Sequence, residues 1–176
     1  MATPNRWLSG RHAAALLGLY LLLHLLLEQP AEALHLVALN AATADVALAW
    51  LDGIGVHLVR EGSLVMHAGG FVTEVHQSCT ALLPAALLLA AIALHPARSA
   101  PRLAGMLLGL VLVTLLNQCR LVGVIWVGVQ APALFPLVHD GLAPAALVAL
   151  TLGYGLAWAR WARRTDNLPG GCSVEG

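Results

Sequence analysis

Charge is scarce in this sequence. Asp, Glu, Lys and Arg make up 10% of 176 residues, against roughly 25% in a soluble domain. So little polar surface cannot cover a water-facing globule. With 59% hydrophobic residues and a mean hydropathy of +0.80, lipid is the solvent that suits the chain. Basic and acidic residues balance at 9 each, so a nucleic-acid partner has no electrostatic support. Cysteine is sparse as well. Cys79, Cys119 and Cys172 form no CxxC pair, which excludes a thioredoxin-type redox motif. No linker, charge block, internal repeat, low-complexity run or lipidation box divides the chain. Small residues are missing at Glu28-Gln29-Pro30, a poor cleavage site, so the Leu-rich first segment reads as a retained anchor.

Long apolar runs are what the chain does have. A spanning helix needs about 17–25 apolar residues. The runs at 12–27, 80–94, 103–116 and 142–161 predict about four transmembrane helices. Arg6 and Arg11 precede the first run, Arg98 and Arg102 separate the second and third, and Arg160, Arg163 and Arg164 follow the fourth. An even number of crossings puts all these clusters on one side, the cytoplasmic one, with both termini inside. Trp158 and Trp161 then read as an inner interfacial belt. The remaining apolar stretches fall on the outer side. Residues 31–51, with Glu32, Asn40 and Asp45, predict an amphipathic helix at the outer interface. Residues 53–76 predict a short hairpin around Arg60-Glu61-Gly62-Ser63. Residues 121–138, broken by Gly123, Gly128, Pro132 and Pro136, predict a re-entrant or interfacial segment. The expected fold is therefore an all-α integral membrane protein carrying these outer pieces. One membrane-embedded domain covers 1–165, and 166–176 forms a polar cytoplasmic tail.

This topology brings three reactive side chains to one level. Cys79 starts the second span on the outer side, Arg120 ends the third, and His139 starts the fourth. Taken singly, each has an ordinary explanation: a small buried cysteine, a polar anchor, a snorkelling arginine. Together, thiol and imidazole are the minimum for nucleophilic catalysis. A helix N-terminus and a nearby arginine both favour the thiolate, and Arg120 is suited to a developing oxyanion. Asn117 shares a helix face with Arg120 and is a candidate substrate-binding residue, as is Glu74. Asp140 adjoins His139, but helical neighbours do not face each other, so no Asp–His couple is expected. Cys119 ranks below Cys79 because it lies near a helix C-terminus, where the dipole disfavours a thiolate. His57, His67 and His76 have no tight pairing and no carboxylate cluster, so no metal is expected. His24 has no opposing histidine for haem, and no cofactor is expected.

The quoted residues carry a resemblance. Val75-His76-Gln77-Ser78-Cys79-Thr80-Ala81, then Asn117-Gln118-Cys119-Arg120, then Phe135-Pro136-Leu137-Val138-His139-Asp140-Gly141 stand in the order and spacing of the exosortase/archaeosortase family of membrane cysteine transpeptidases. The chain resembles that family's short members over about residues 50–160. The resemblance implies catalytic roles for Cys79, Arg120 and His139. It also implies a function: cleaving exported proteins at a C-terminal tail of short motif, transmembrane helix and basic cluster. The cut would fall on the outer, periplasmic face of a bacterial inner membrane. The new end would pass to a surface acceptor such as a polysaccharide. One departure stands out. The family commonly has Gly two residues after the cysteine, where this chain has Ala81. The alternative from the residues alone is a non-catalytic membrane assembly or accessory protein.

Overall fold

A computed structural model describes residues 10–29 and 36–166. The chain is mostly helical. It runs α1 (Gly10–Leu27), α2 (Val37–Gly53), β1 (Leu58–Glu61), β2 (Leu64–His67), β3 (Val72–Glu74), α3 (Leu82–Leu94), α4 (Ser99–Gln130) and α5 (Ala143–Asp166). Short 3-10 turns sit at Gln77–Cys79 and Pro132–Leu134, and a π-helical turn at Leu137–Leu142 leads into α5.

The expected hairpin is present and gains a strand. β1 pairs antiparallel with β2 through a two-residue turn, and β2 pairs with β3. Gly62 opens the turn at φ +62°, a conformation that suits a Gly-first hairpin loop. The sheet leans on α2, where Arg60 grips both carboxylate oxygens of Asp45 at 2.6 and 3.0 Å. The stretch expected to form an amphipathic helix supplies most of α2, whose exposed side also carries apolar Val37, Leu39, Val46 and Trp50. Asn40, Thr43, Ala44, Ala47 and Leu51 form its buried stripe against α4 and β1. Residues 30–35 lie outside the described residues.

α1, α3, α4 and α5 lie side by side. Trp158 Nε1 donates to Pro101 O at 3.0 Å and Tyr154 Oη to Gly105 O at 2.7 Å, so the end of α5 meets the start of α4. The end of α1 meets the approach to α3 through Gln77. Neighbouring helices therefore alternate in direction. Arg98, Arg102, Arg160, Arg163 and Arg164 gather at one end; Cys79, Asn117 and the π turn gather at the other. Trp158 is buried and hydrogen-bonded, so it is a packing residue and not the interfacial anchor expected; Trp161 is exposed.

Three expectations need correction. Two segments, Ser99–Gln130 and Pro132–Thr165, are long and apolar enough to cross a membrane, whereas α1 and α3 are apolar but shorter. Four helices of spanning length are not found among the described residues. The re-entrant segment is not re-entrant: 121–130 continues α4 without a break, and only from Pro132 onward does the chain turn. Gly123 and Gly128 do not end the helix because a glycine inside a long hydrogen-bonded helix costs only about 1 kcal/mol. At Gly128 that cost meets a packing need, since an added Cβ would lie 2.2 Å from Phe71. Lastly, α5 includes Asp166, the first residue assigned to the polar tail; 167–176 lie outside the described residues.

α4 spans two apolar cores. Near its middle Val113 joins Leu88, Ile92, Trp158 and Ala162. Near its end Leu121 and Ile125 join Ala47, Leu51, Val65, Val75 and Cys79. Asn117 and Gln118, both buried, separate the two along the same stripe.

Candidate active site

The site forms where the polar break in α4 meets the turn leading into α3. Three residues of 3-10 turn, Gln77–Cys79, hold Cys79 there, with Cys79 N donating to His76 O at 2.8 Å. Thr80 bonds back to Gln77 O through both its N and its Oγ1. Ala81 then takes φ +58° and ψ +14°, the left-handed region, before α3 begins at Leu82. The left-handed turn that glycine adopts most easily is thus built here with alanine. Cys79 sits three residues ahead of the first residue of the helix rather than in its first turn.

Asn117 is brought directly to this turn. Its Nδ2 donates to Cys79 O at 2.6 Å. The carbonyl of the cysteine is thereby tied to α4, while Asn117 Oδ1 is buried without a partner. Arg120 lies one turn further along the same face. It is half-buried, and its Nε is sealed from solvent with no hydrogen-bond partner. It is not at a helix end, as expected, but ten residues before the end of α4. Gln118 adds another buried, unpartnered oxygen. Buried polar atoms left without a hydrogen bond call for an explanation, and three of the seven such side-chain atoms among the described residues fall here. This group lies within one helical turn.

His139 is positioned by aromatic rings. Phe135 stacks on its imidazole with centroids 5.0 Å apart, and Phe71 meets Phe135 edge-on at 5.3 Å. Phe71 rests on Gly128 and packs against the core that holds Cys79. Phe71 and Phe135 are the two phenylalanines of the whole chain. Their rarity is the sequence signal that sets them apart.

The Asp140–His139 couple, not expected from helical spacing, is present: His139 Nδ1 lies 2.6 Å from Asp140 Oδ1. The pair lies in the π-helical turn, where i→i+5 bonding puts more residues in each turn, so each rotates less than in an α-helix and α-helical spacing rules do not apply. Such turns recur at functional sites.

Other expected residues are placed differently. Glu74 accepts from Ser63 Oγ at 2.8 Å and serves the hairpin; it makes no bond to Cys79, Arg120 or His139. Cys119 is exposed in mid-helix, so the helix-end argument that ranked it below Cys79 does not apply, and its facing does the work instead. Cys172 lies outside the described residues. His57 pairs with Asp52, His67 Nδ1 accepts from Gly69 N at 3.0 Å, and His24 pairs with Glu28. Among the described residues Cys79, Arg120 and His139 share one end of the bundle but form no direct hydrogen bond with one another. Gln77 is a residue sequence reasoning passed over. Its Nε2 donates to Leu27 O at 2.9 Å and Gln29 O at 2.5 Å, satisfying α1's terminal carbonyls and fastening α1 to the cysteine turn.

Comparison of the chain with protein-family models, curated proteins and solved structures returned no match.

Proposed function

We propose that this chain is a multi-pass membrane cysteine transpeptidase of the exosortase type. It would have four crossings, with its arginine-rich end in the cytoplasm and its site at the outer face of the bacterial inner membrane. The observation that carries the reading is the bond from Asn117 to the Cys79 carbonyl. It fixes the cysteine turn one helical turn from Arg120, whose buried Nε has no partner. Membrane placement is supported by two long apolar helices and by exposure: 6% of the most apolar window of Pro132–Thr165 is buried, so this is not the core helix of a globule. From Arg102 to Arg120 the helix rises about 27 Å, close to the hydrocarbon thickness of about 30 Å. α1 and α3 are short for a crossing, and on this reading the polar turns at their ends complete it.

In this mechanism His139, oriented by Asp140, takes the Cys79 thiol proton. The thiolate attacks the substrate carbonyl, and Arg120 stabilises the oxyanion. As the C–N bond breaks, the leaving amine takes the proton from His139. A thioester then links the substrate's new end to Cys79. An acceptor nucleophile gives its proton to His139, attacks the thioester and restores the thiol. No metal or cofactor enters. The substrates are exported proteins with a C-terminal motif, helix and basic tail. Confining enzyme and substrate to one bilayer fixes the depth of the cut.

The test is made in the native host. Cys79→Ala should leave tail-bearing exported proteins at full length while the variant accumulates normally in the membrane. Hydroxylamine should release a trapped acyl group from the native enzyme and none from the variant. Normal processing by Cys79→Ala refutes the assignment.

One observation favours the rival, a non-catalytic assembly protein: Cys79 is only 4% exposed and makes no bond to His139. Iodoacetamide labelling separates the two. On the catalytic reading Cys79 is modified faster than the exposed Cys119, and labelling stops processing. Inert Cys79 in a membrane that still processes tails favours the rival.

A further inference from the structure

A cavity of about 600 Å³ lies between α1, α3 and α5, apart from the site just described. Leu17, Leu87, Leu152 and Gly155 represent its walls. It follows α3 from Leu83 to His95, a rise of about 18 Å. That length and the apolar lining suit an extended polymethylene chain, whose carbons pack about 4 Å from their neighbours.

The cavity is polarised. Near Leu83 and Tyr20 its lining is apolar or aromatic, whereas His12, His95 and Trp158 lie at the far end. Arg102 stands directly behind that end, donating to His95 O at 3.2 Å and Ala97 O at 2.8 Å. Arg98 immediately precedes α4, and Arg160, Arg163 and Arg164 lie toward the end of α5. Arginine offers a planar fork of donors suited to phosphate oxygens. An apolar slot with arginines gathered beyond its His95 end matches an anionic amphiphile and not a neutral hydrocarbon. We propose that this cavity is a binding site for one acyl chain of an anionic membrane phospholipid, its phosphate held at the His95 end. The site needs a membrane to supply the lipid, but it is independent of any chemistry at Cys79.

The test uses the full chain purified in neutral detergent, titrated with phosphatidylglycerol and with phosphatidylcholine of identical chains, and read by native mass spectrometry. One phosphatidylglycerol per chain should bind at least tenfold more tightly than phosphatidylcholine. Ala91→Phe, which fills the slot, should weaken phosphatidylglycerol binding tenfold or more. Gly155→Leu is the second slot-filling variant should the first fail to fold, since an added Cβ there meets Leu88 Cδ1 at an ordinary 3.4 Å. Combined Arg98→Gln and Arg164→Gln should reduce the preference for phosphatidylglycerol while leaving phosphatidylcholine unchanged. Equal affinity for the two lipids overturns the proposal. So does undiminished binding in a folded slot-filled variant, or a cavity protected by a second copy of the chain instead of by lipid.

Discussion

Ala81 concentrates the local tension of the site. Left-handed backbone costs an L-residue about 1–2 kcal/mol, and Ala81 holds it at φ +58° while 5% exposed. Such strain persists only where the surroundings over-determine it. Here they do: Thr80 bonds back to Gln77 O, and Asn117 pins Cys79 O. Ala81→Gly should therefore raise stability by about 0.5–1 kcal/mol, the relief of strain less glycine's greater entropy in the unfolded chain. Ala81→Val should lower it by about 2 kcal/mol or more, because a β-branched residue is least tolerant of that region. Thermal unfolding in detergent reads both, and a neutral Ala81→Val would show that the turn is not left-handed. His139 raises a different question, since its partner is its own neighbour. Asp140→Asn keeps the shape and removes the charge that orients the imidazole. On the proposed mechanism it should slow tail processing about tenfold to a hundredfold without changing the protein's level. His139→Gln should lose the full contribution of general acid–base catalysis, about 10²–10⁴-fold. Pulse-chase of a tailed substrate separates these outcomes, and equal rates for all three proteins would remove His139 from the reaction.

At the scale of elements, α4 organises the molecule, and its glycines divide by what they face. Gly105 lies against Trp158, where an added Cβ would fall 2.0 Å from Nε1; at Gly109 it would meet Tyr154 and Leu88; at Gly123 it would meet nothing within 4 Å. Gly105→Ala should push α5 away, break the Trp158–Pro101 bond and cost about 1–3 kcal/mol as an overpacked contact. Gly123→Ala should be neutral or stabilise by up to about 1 kcal/mol through helix propensity. Unfolding midpoints compared side by side check the pair, and similar effects would mean that α4 and α5 do not meet as described. The same helix shows what could be read beforehand. Apolar composition announced α1, α3, α4 and α5, and the Gly62 turn announced the hairpin, because both signals are local. The length of α4 was not legible. Gly123 and Gly128 look like breaks in a string, and only Phe71, distant in sequence, explains why Gly128 is small. For the site, the residue types Cys79, Asn117, Arg120 and His139 were visible by motif. The Asn117–Cys79 bond was not, since it depends on where α4 passes the cysteine turn. Nor was the Asp140 couple, since spacing rules for α-helices fail inside a π turn.

For the molecule as a whole, the two cores stacked along α4 make a physical argument about depth. The core around Val113, Leu88 and Trp158 is sheathed by exposed Leu103, Leu107, Leu108, Leu152 and Leu156. Contiguous exposed apolar surface of this kind suits lipid better than water. The core around Leu51, Val65 and Ile125 instead carries the Arg60–Asp45 pair and the polar hairpin on its outside, as a water-facing cap would. Asn117, Gln118 and Arg120 lie at the seam. If the seam is the outer membrane interface, α4 crosses below it and projects roughly 15 Å above it to Gln130. The short loop holding Arg98 must then face the cytoplasm. Single-cysteine accessibility tests this in a background with Cys79, Cys119 and Cys172 replaced by Ser. A cysteine at Gly69 in the hairpin should react with a membrane-impermeant maleimide in intact spheroplasts. One at Ser99 should react only after permeabilisation, and one at Leu108 should resist in both conditions. Labelling of Ser99 and Gly69 from the same side would require an even number of crossings between them, so that α3 does not cross alone. Cys79 and Asn117 would still touch, but the arginine-rich end would no longer mark the cytoplasm, and the outer-face transpeptidase reading would fall with it.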